Sequence, residues 1–161
     1  MISGMTGYEI ETRTLTEQDT AVEYATLPID EIGAWLAKAF SEVARYLGRK
    51  GAGPAGMPSA RYSRRDDGRF DVEAGFPAST PTNGEGDVEP SDLPAGPAAV
   101  TVHVGPYGEI QPAYAALQAW ILEHGGVPEG HPSEVYFDDP NLDHDPTTWR
   151  TEVIQPYRPK P

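Results

Sequence analysis

The sequence predicts an α+β fold in which an antiparallel sheet packs against two helices on one of its faces. Two long helix-like segments are each preceded and followed by segments that alternate apolar and polar residues, as strands do. A third observation is an internal repeat: Pro-Ser-x-x-Tyr occurs at residues 58–62 and again at 132–136. We therefore predict two tandem strand–helix–strand–strand repeats with a ligand groove between them.

The first repeat is predicted over about residues 8–78. Its helix carries acidic residues at the start and basic residues at the end, which suits the helix dipole, and Gly51 ends it. A hairpin is expected around Gly68, because Asp-Gly between two strand-like runs favours a tight turn. The expected elements are strands at 8–15, 21–27, 58–64 and 70–78 and a helix at about 30–49.

The second repeat is predicted over about residues 97–157. It follows a linker, residues 79–96, that is rich in Pro, Gly, Ser and Thr and has a short strand near Val88. In this repeat Glu134 stands where the first repeat has Ala60, so we expect the function near that difference. The whole chain, 1–161, is interpreted as a single domain. The expected elements are strands at 100–104, 134–138 and 149–157 and a helix at about 111–124.

The composition narrows the class of protein. Twelve basic and 25 acidic residues give a net charge of −13, which disfavours nucleic-acid binding, because such binding relies on Lys and Arg contacts to phosphate. The chain has no cysteine, no secretory signal and no apolar run of the roughly 20 residues that span a bilayer. We expect a cytoplasmic protein without a membrane partner; the sequence does not indicate an oligomeric state.

Five segments form a recognisable series when they are taken in order: Leu93-Pro94-Ala95-Gly96, His103-Val104-Gly105-Pro106-Tyr107, Tyr114-x-x-Leu117-x-x-Trp120-Ile121, Pro132-Ser133-Glu134-Val135-Tyr136 and Trp149-x-Thr151-Glu152-Val153-x-x-Pro156. They resemble the GyrI-like small-molecule-binding family, which is also the effector-binding half of certain AraC- and MerR-type regulators. The first repeat fits through residues 70–76, so the resemblance covers about residues 8–157.

The resemblance implies two strand–helix–strand–strand units with a ligand groove lined by aromatic residues. It also implies a buried acidic residue that faces lipophilic cations: the family's Glu-x-Tyr motif maps onto Glu134 and Tyr136. Some standalone members resemble hydrolases that open cyclopropane-containing toxins with a glutamate and a tyrosine. Because the effector domain accounts for all 161 residues, we expect a standalone member rather than a DNA-binding regulator.

Glu134 and Tyr136 lie two residues apart in a predicted strand, so they point to the same face. If that face is the groove, a carboxylate lies beside a phenol, and a ligand cation would relieve the cost of burying the carboxylate. In the alternative interpretation Glu134 is exposed and Tyr136 packs in the core.

Other side chains are candidates for the wall of the groove. Aromatic faces attract cations, which suggests Trp35, Tyr107 and Trp149, while Trp120 is more typical of a core residue. Glu152 matches Glu73 of the first repeat, so it is either a pocket wall or part of the scaffold. The candidate ligand-binding residues are Glu134, Tyr136, Tyr107, Trp35, Trp149, Glu152 and Tyr62.

Three functions remain open at this point. The first is a binding protein of the multidrug type for bulky lipophilic, often cationic, small molecules. The second is a hydrolase in which Glu134 activates water and Tyr136 or Tyr107 stabilises an oxyanion. The third is an interaction role such as gyrase modulation. We expect no metal and no cofactor, since the chain has no nucleotide-binding fingerprint and no metal-ligand spacing in its histidines, which are His103, His124, His131 and His144.

Overall fold

The computed structural model describes residues 7–138 and 145–161, so His144 and most of the acidic segment 139–146 lie outside the described part. The described residues form two compact units. Unit 1 takes its residues from Met1–Leu15 and Gly96–Pro161, and unit 2 from Thr16–Ala95. The elements are β1 (Glu11–Leu15), β2 (Gln18–Leu27), α1 (Ile29–Lys50), β3 (Ser59–Arg64), β4 (Phe70–Pro77), β5 (Glu89–Leu93), β6 (Gly96–Val104), α2 (Gln111–Glu123), β7 (Val127–Pro128), β8 (Ser133–Tyr136) and β9 (Arg150–Arg158).

Unit 2 is an antiparallel sheet in the order β3-β4-β2-β5, with α1 on one face. The helix begins with Asp30 and Glu31 and ends at Gly51, whose φ of 64° is a left-handed conformation that glycine adopts without strain. Its apolar stripe buries Val43 and Leu47 against Ala21 of β2. The predicted hairpin is present: Gly68 has a φ of 87° in the turn between β3 and β4.

Unit 1 has the same plan. Its antiparallel sheet runs β1-β6-β9-β8, and the short β7 pairs with the far end of β9. Helix α2 packs on one face, where Leu117 and Ile121 bury themselves against Ala99 and Val153. The α+β prediction of antiparallel sheets with helices on one face is therefore confirmed in each unit. No helix among the described residues is long and apolar enough to cross a membrane.

The internal repeat extends to the register of the strands. In unit 2, Tyr62 pairs with Val72, and the preceding residue, Arg61, pairs with Glu73. In unit 1, Tyr136 pairs with Thr151 and the corresponding pair is Val135 with Glu152. In each unit the residue before the tyrosine pairs with a glutamate of the neighbouring strand, so the two Pro-Ser-x-x-Tyr motifs occupy equivalent positions. Tyr62 therefore corresponds to Tyr136, and Glu73 to Glu152, as the repeat predicts.

One element differs from the sequence-based expectation. We placed the first strand in the first repeat, but β1 pairs with β6 and belongs to unit 1. The short strand that we expected near Val88, within the 79–96 linker, is β5, which pairs with β2 at the edge of the unit 2 sheet. The alternation of side chains identifies a strand without naming its partner, and Pro90 weakens the strand signal of β5, because proline is tolerated only at edges.

Candidate functional site

Glu134 lies on β8 in unit 1, and its residue is only 9% exposed. Across the sheet it pairs with Val153, which is part of the core beneath α2, and Tyr136 pairs with the buried Thr151. Paired residues in an antiparallel sheet point to the same side, so Glu134 and Tyr136 both face the helix side of the sheet. Glu134 is thus not the exposed strand residue of the alternative interpretation.

Two phenols hold the Glu134 carboxyl group. The Tyr136 hydroxyl donates a hydrogen bond to Oε1 at 2.9 Å, and the Tyr114 hydroxyl, from the second turn of α2, donates to Oε2. Each carboxyl oxygen therefore accepts one hydrogen bond from a phenol. Such charge-assisted hydrogen bonds fix the rotamer of the glutamate between strand and helix.

Burial raises the pKa of Glu134 above its ordinary value, because the charged form loses its hydration. The hydrogen bonds from Tyr114 and Tyr136 and the nearby His103 oppose this shift without cancelling it. Among the ion pairs found in the described residues, none joins Glu134 to a lysine or an arginine. The site thus contains a buried carboxyl group stabilised by neutral donors.

His103 lies on the same face of the sheet, on β6, and is 3% exposed. Its Nε2 is 3.0 Å from the carbonyl oxygen of Pro106, which can only accept, so Nε2 carries a proton. Its Nδ1 is 3.0 Å from the hydroxyl of Tyr8, whose ring stacks on the imidazole. Both ring nitrogens therefore have partners, and the contact with the Pro106 carbonyl fixes the turn that follows β6.

That turn brings an aromatic cluster to the site. Gly105 adopts a φ of 134° and donates its N–H to the Trp149 carbonyl at 2.8 Å, which ties the loop after β6 to the residue before β9. The Tyr107 ring then lies 4.9 Å from the Trp149 ring and 5.7 Å, edge to face, from the Tyr136 ring. We call Tyr107, Tyr136 and Trp149 the aromatic cluster; Tyr136 joins it directly to Glu134.

A model of the GyrI-like small molecule binding domain matches residues 8–158. The chain belongs to this family. Comparison with curated proteins gave no match.

Solved structures of several other proteins share this fold. The chain is similar to EcmrR in a complex with DNA (TM-score 0.80, 19% identity), covering 95% of this chain and 58% of that one, and to the EcmrR C-terminal domain (TM-score 0.72, 17% identity), covering 95% and 99%. It is also similar to SAV2435 bound to tetraphenylphosphonium (TM-score 0.63, 14% identity, 93% and 94% covered). A hydrolase from Listeria innocua matches with a TM-score of 0.64, 12% identity, and 92% and 91% covered.

These identities establish the GyrI-like fold and no more. The chain spans 58% of the length of the DNA-complexed EcmrR chain, which contains further sequence. The expectation that this protein has no nucleic-acid partner accordingly stays a prediction.

Glu152 occupies the other face of the unit 1 sheet of this GyrI-like domain. It pairs with Val135 and Val102, one step out of phase with Glu134, so its side chain points away from α2. Arg13 of β1 donates to both of its carboxylate oxygens, at 2.9 and 2.8 Å. This two-point ion pair supports the scaffold interpretation of Glu152, and its role as a pocket wall stays a prediction.

The remaining candidates belong to unit 2. Trp35 lies on α1 and Tyr62 on β3, and both are half-buried. The structure thus brings Glu134, Tyr136, Tyr107 and Trp149 together within unit 1. The contribution of Trp35 and Tyr62 to a ligand site stays a prediction.

Sequence reasoning named Tyr114 only within the segment Tyr114-x-x-Leu117-x-x-Trp120-Ile121 and missed it as a site residue, because its spacing also fits an apolar stripe of the second helix. A signal was present, because a tyrosine that faces a core brings a hydroxyl group that needs a hydrogen-bond partner. The first repeat has Phe40 at the matching helical position, counted from the buried pairs Val43 and Leu47 in α1 and Leu117 and Ile121 in α2. Comparing the repeats position by position would have singled out this hydroxyl.

Metal binding finds no support in the part of the chain that the structure describes. Residues 7–138 and 145–161 contain no group of three or more His, Asp or Glu side chains placed to hold an ion. His103 uses both ring nitrogens in hydrogen bonds, to Tyr8 and to the Pro106 carbonyl. The fourth histidine, His144, lies outside the described residues.

Proposed function

We propose that this protein binds bulky, lipophilic and often cationic small molecules at a site built around Glu134. One observation carries the proposal: a carboxyl group that is 9% exposed receives its hydrogen bonds from the neutral phenols of Tyr114 and Tyr136. A buried charge without a countercharge is costly, and a ligand cation would supply the missing countercharge.

The expected electrostatic gain is moderate. A cation about 5 Å from the carboxylate, at an effective dielectric constant near 20, gains on the order of 3 kcal/mol of gross Coulomb energy. Desolvation of both charges takes back part of this gain, so the net contribution is about 1–2 kcal/mol, or roughly ten- to thirtyfold in affinity.

The aromatic cluster supplies the surface for the lipophilic part of the ligand. Tyr107, Tyr136 and Trp149 contact one another beside Glu134, and aromatic faces bind both apolar groups and cations. Membership of the GyrI-like small-molecule-binding family supports a ligand-binding role. The structural neighbour SAV2435 is described as bound to tetraphenylphosphonium, a lipophilic cation, which supports the ligand class proposed here.

A cytoplasmic location, and the absence of nucleic-acid and membrane partners, are part of the same proposal. The nucleic-acid part rests on the net charge of −13. A gel shift with duplex DNA at physiological salt tests the nucleic-acid part, and sequence-specific retardation by this chain would overturn it.

The test of the binding proposal compares a cation with a neutral compound. Tetraphenylphosphonium and triphenylphosphine oxide have similar aromatic bulk and differ in charge. Tryptophan fluorescence titration gives both dissociation constants for wild type and for Glu134→Gln. We expect the substitution to raise the dissociation constant of the cation ten- to thirtyfold and that of the neutral compound less than threefold.

Glu73→Gln is the matched control. It makes the same charge change on a unit 2 carboxylate that is held by Arg61 at 2.7 Å and by Ser91 at 2.7 Å, and it should leave both constants unchanged. Equal losses for the two ligands in Glu134→Gln would make Glu134 a scaffold residue and contradict the proposal.

Hydrolysis is the second candidate. A carboxyl group with a raised pKa beside a phenol is a general base and a hydrogen-bond donor in one place, and the Tyr136 hydroxyl lies 2.9 Å from Glu134. In such a reaction Glu134 would take a proton from water, whose hydroxyl adds to one carbon of a strained cyclopropane while the C–C bond from that carbon to a neighbouring ring carbon breaks, and the proton would then pass to that neighbouring carbon. Mass spectrometry of an activated cyclopropane after incubation with wild type and with Glu134→Gln tests this. Unchanged substrate with wild type excludes hydrolysis and leaves binding.

Gyrase modulation, the third hypothesis, stays a prediction.

A further inference from the structure

A further buried glutamate, Glu23, lies in unit 2, away from the residues of the proposed ligand site. Glu23 is on β2, and its residue is 3% exposed. It lies two residues from Ala21 and pairs with the fully buried Ala74, so it faces the core side on which α1 packs. An acidic side chain in such surroundings is destabilising unless its charge is compensated or removed.

One oxygen of Glu23 has an unusual environment. Its Oε2 is enclosed, and among the described residues no donor forms a hydrogen bond to it. Another carboxyl group, that of Glu42 on α1, lies within hydrogen-bonding range of the Glu23 carboxyl group. Two carboxylates cannot hydrogen bond to each other, because neither carries a proton to donate. Adding one proton converts this contact into an O–H···O hydrogen bond.

We propose that Glu23 is a neutral carboxylic acid in the folded protein and donates its proton to Glu42, so that a single proton joins β2 to α1. Glu42 is the fitting acceptor, since Lys38, one turn earlier on α1, lies 2.7 Å from its Oε1 and stabilises its negative charge. Proton loss from Glu23 would place two negative charges in contact and weaken the packing of α1 on the unit 2 sheet.

The charged groups around the pair agree with this arrangement. From α1, Glu42 disfavours and Lys38 favours ionisation of Glu23, and Arg45 favours the charge of Glu42. Asp87, which precedes β5, also disfavours ionisation of Glu23. Burial, the largest effect, raises the pKa of Glu23, while the hydrogen bond from Lys38 lowers that of Glu42. The two carboxyl groups are therefore driven apart in pKa, as a proton donor and its acceptor should be.

The consequence is a pH-dependent stability with a defined sign. Because the folded state holds the Glu23 proton more tightly than the unfolded state, the stabilisation is complete below the ordinary glutamate pKa. It is lost as the pH rises through the raised pKa of the folded protein. Unit 2 would accordingly loosen on the alkaline side, first at the contact between β2 and α1.

Carbon-13 NMR of the glutamate carboxyl groups in the wild-type protein tests the proposal without a mutation. The Glu23 signal should titrate at a higher pH than a glutamate in an unstructured peptide, and Glu42→Gln should lower the Glu23 midpoint because it removes the like charge. Titration of Glu23 in the range of such a peptide would overturn the proposal.

Urea unfolding supplies an independent measurement. In Glu23→Gln the amide N–H replaces the shared proton and does not titrate. Between pH 5 and pH 8.5 the wild-type midpoint should fall relative to that of Glu23→Gln, while the control Glu17→Gln should follow the wild type. If the wild type and Glu23→Gln show the same pH dependence, the shared proton is excluded.

Discussion

Units 1 and 2 share a strand order and a register, but they bury different side chains at one equivalent strand position. Tyr136 of unit 1 corresponds to Tyr62 of unit 2, and Glu152 corresponds to Glu73. Yet position 134 is a glutamate held by two phenols, and the matching position 60 is an alanine that is 1% exposed. The comparison teaches that, at this strand position, the buried carboxyl group occurs in the unit whose helix supplies a hydroxyl donor, Tyr114, and not in the unit whose helix carries Phe40.

The scaffold glutamates support this view, because they are satisfied in both units by equivalent positions. Arg13 of β1 lies opposite Ala98 and binds Glu152; Ser91 of β5 lies opposite Thr20 and binds Glu73. Both partners come from the outermost strand of their sheet. A glutamate with a partner in each copy is a property of the scaffold, whereas Glu134 exists in one copy only.

The largest expected effect comes from moving the carboxylate into unit 2. Ala60→Glu would bury a charge in a unit whose helix has Phe40, without a hydroxyl, at the position that matches Tyr114, and should lower the free energy of unfolding by about 4 kcal/mol in urea at pH 7. Adding Phe40→Tyr to this variant should restore about 1 kcal/mol. Ala37→Glu, on the exposed side of α1, is the control and should change stability by about 0.5 kcal/mol or less. Equal costs at positions 60 and 37 would show that the donor is not what separates the units.

The next largest effect concerns a difference in the backbone. A Cβ atom at Gly75 of β4 would lie 1.9 Å from the Ala21 carbonyl oxygen, whereas unit 1 has Ile154 at the corresponding register position. Gly75→Ala should therefore cost about 3 kcal/mol in urea unfolding. Gly33→Ala places its methyl group in open space on α1 and should stabilise by about 1 kcal/mol. A neutral Gly75→Ala would mean that the unit 2 strands separate as easily as those of unit 1.

A smaller change in stability tests the hydrogen bond from Tyr114 to Glu134. Tyr114→Phe removes the donor to Glu134 Oε2 and should cost about 1 kcal/mol at pH 7. The tyrosine hydrogen bond lowers the pKa of Glu134, so its loss moves that pKa further above the unfolded value. The contribution of Glu134 to the free energy of unfolding is fully present below the pKa that this residue has in the unfolded chain, and it is lost as the pH rises through the raised pKa of the folded protein. This loss should be greater in Tyr114→Phe. Urea midpoints from pH 4 to pH 8, with the half-exposed Tyr24→Phe as control, measure it; a cost independent of pH would contradict the assignment.

The sequence predicted the parts of the fold that depend on local periodicity. The first helix was expected at 30–49 and spans Ile29–Lys50, because its apolar stripe and terminal charges lie within the segment itself. The alternation of strand residues likewise predicted that Glu134 and Tyr136 share a face. Burial of Glu134 could not follow from alternation, since it depends on which face α2 covers.

What the sequence did not predict depends on contacts between distant residues. β1 was assigned to the wrong repeat because its partner, β6, begins 81 residues after β1 ends, as the pair of Leu15 with Gly96 shows. The ion pair of Arg13 with Glu152 spans 139 residues and has no local signal. Tyr114 was missed because its spacing fits an apolar stripe equally well; only its hydroxyl group distinguishes it from Phe40.

The pairing of β1 with β6 sets an order for folding during synthesis. Chains emerge from the ribosome from the N-terminus, and compact parts form as soon as their residues are available. Unit 2, which is continuous from Thr16 to Ala95, has all its strands before β6 is made, whereas β1 must wait for it. In sequence, unit 2 is therefore an insertion between β1 and the rest of unit 1. A fragment of residues 16–95 contains every strand of unit 2, whereas any continuous fragment that contains every strand of unit 1, the unit with Glu134, must also contain unit 2.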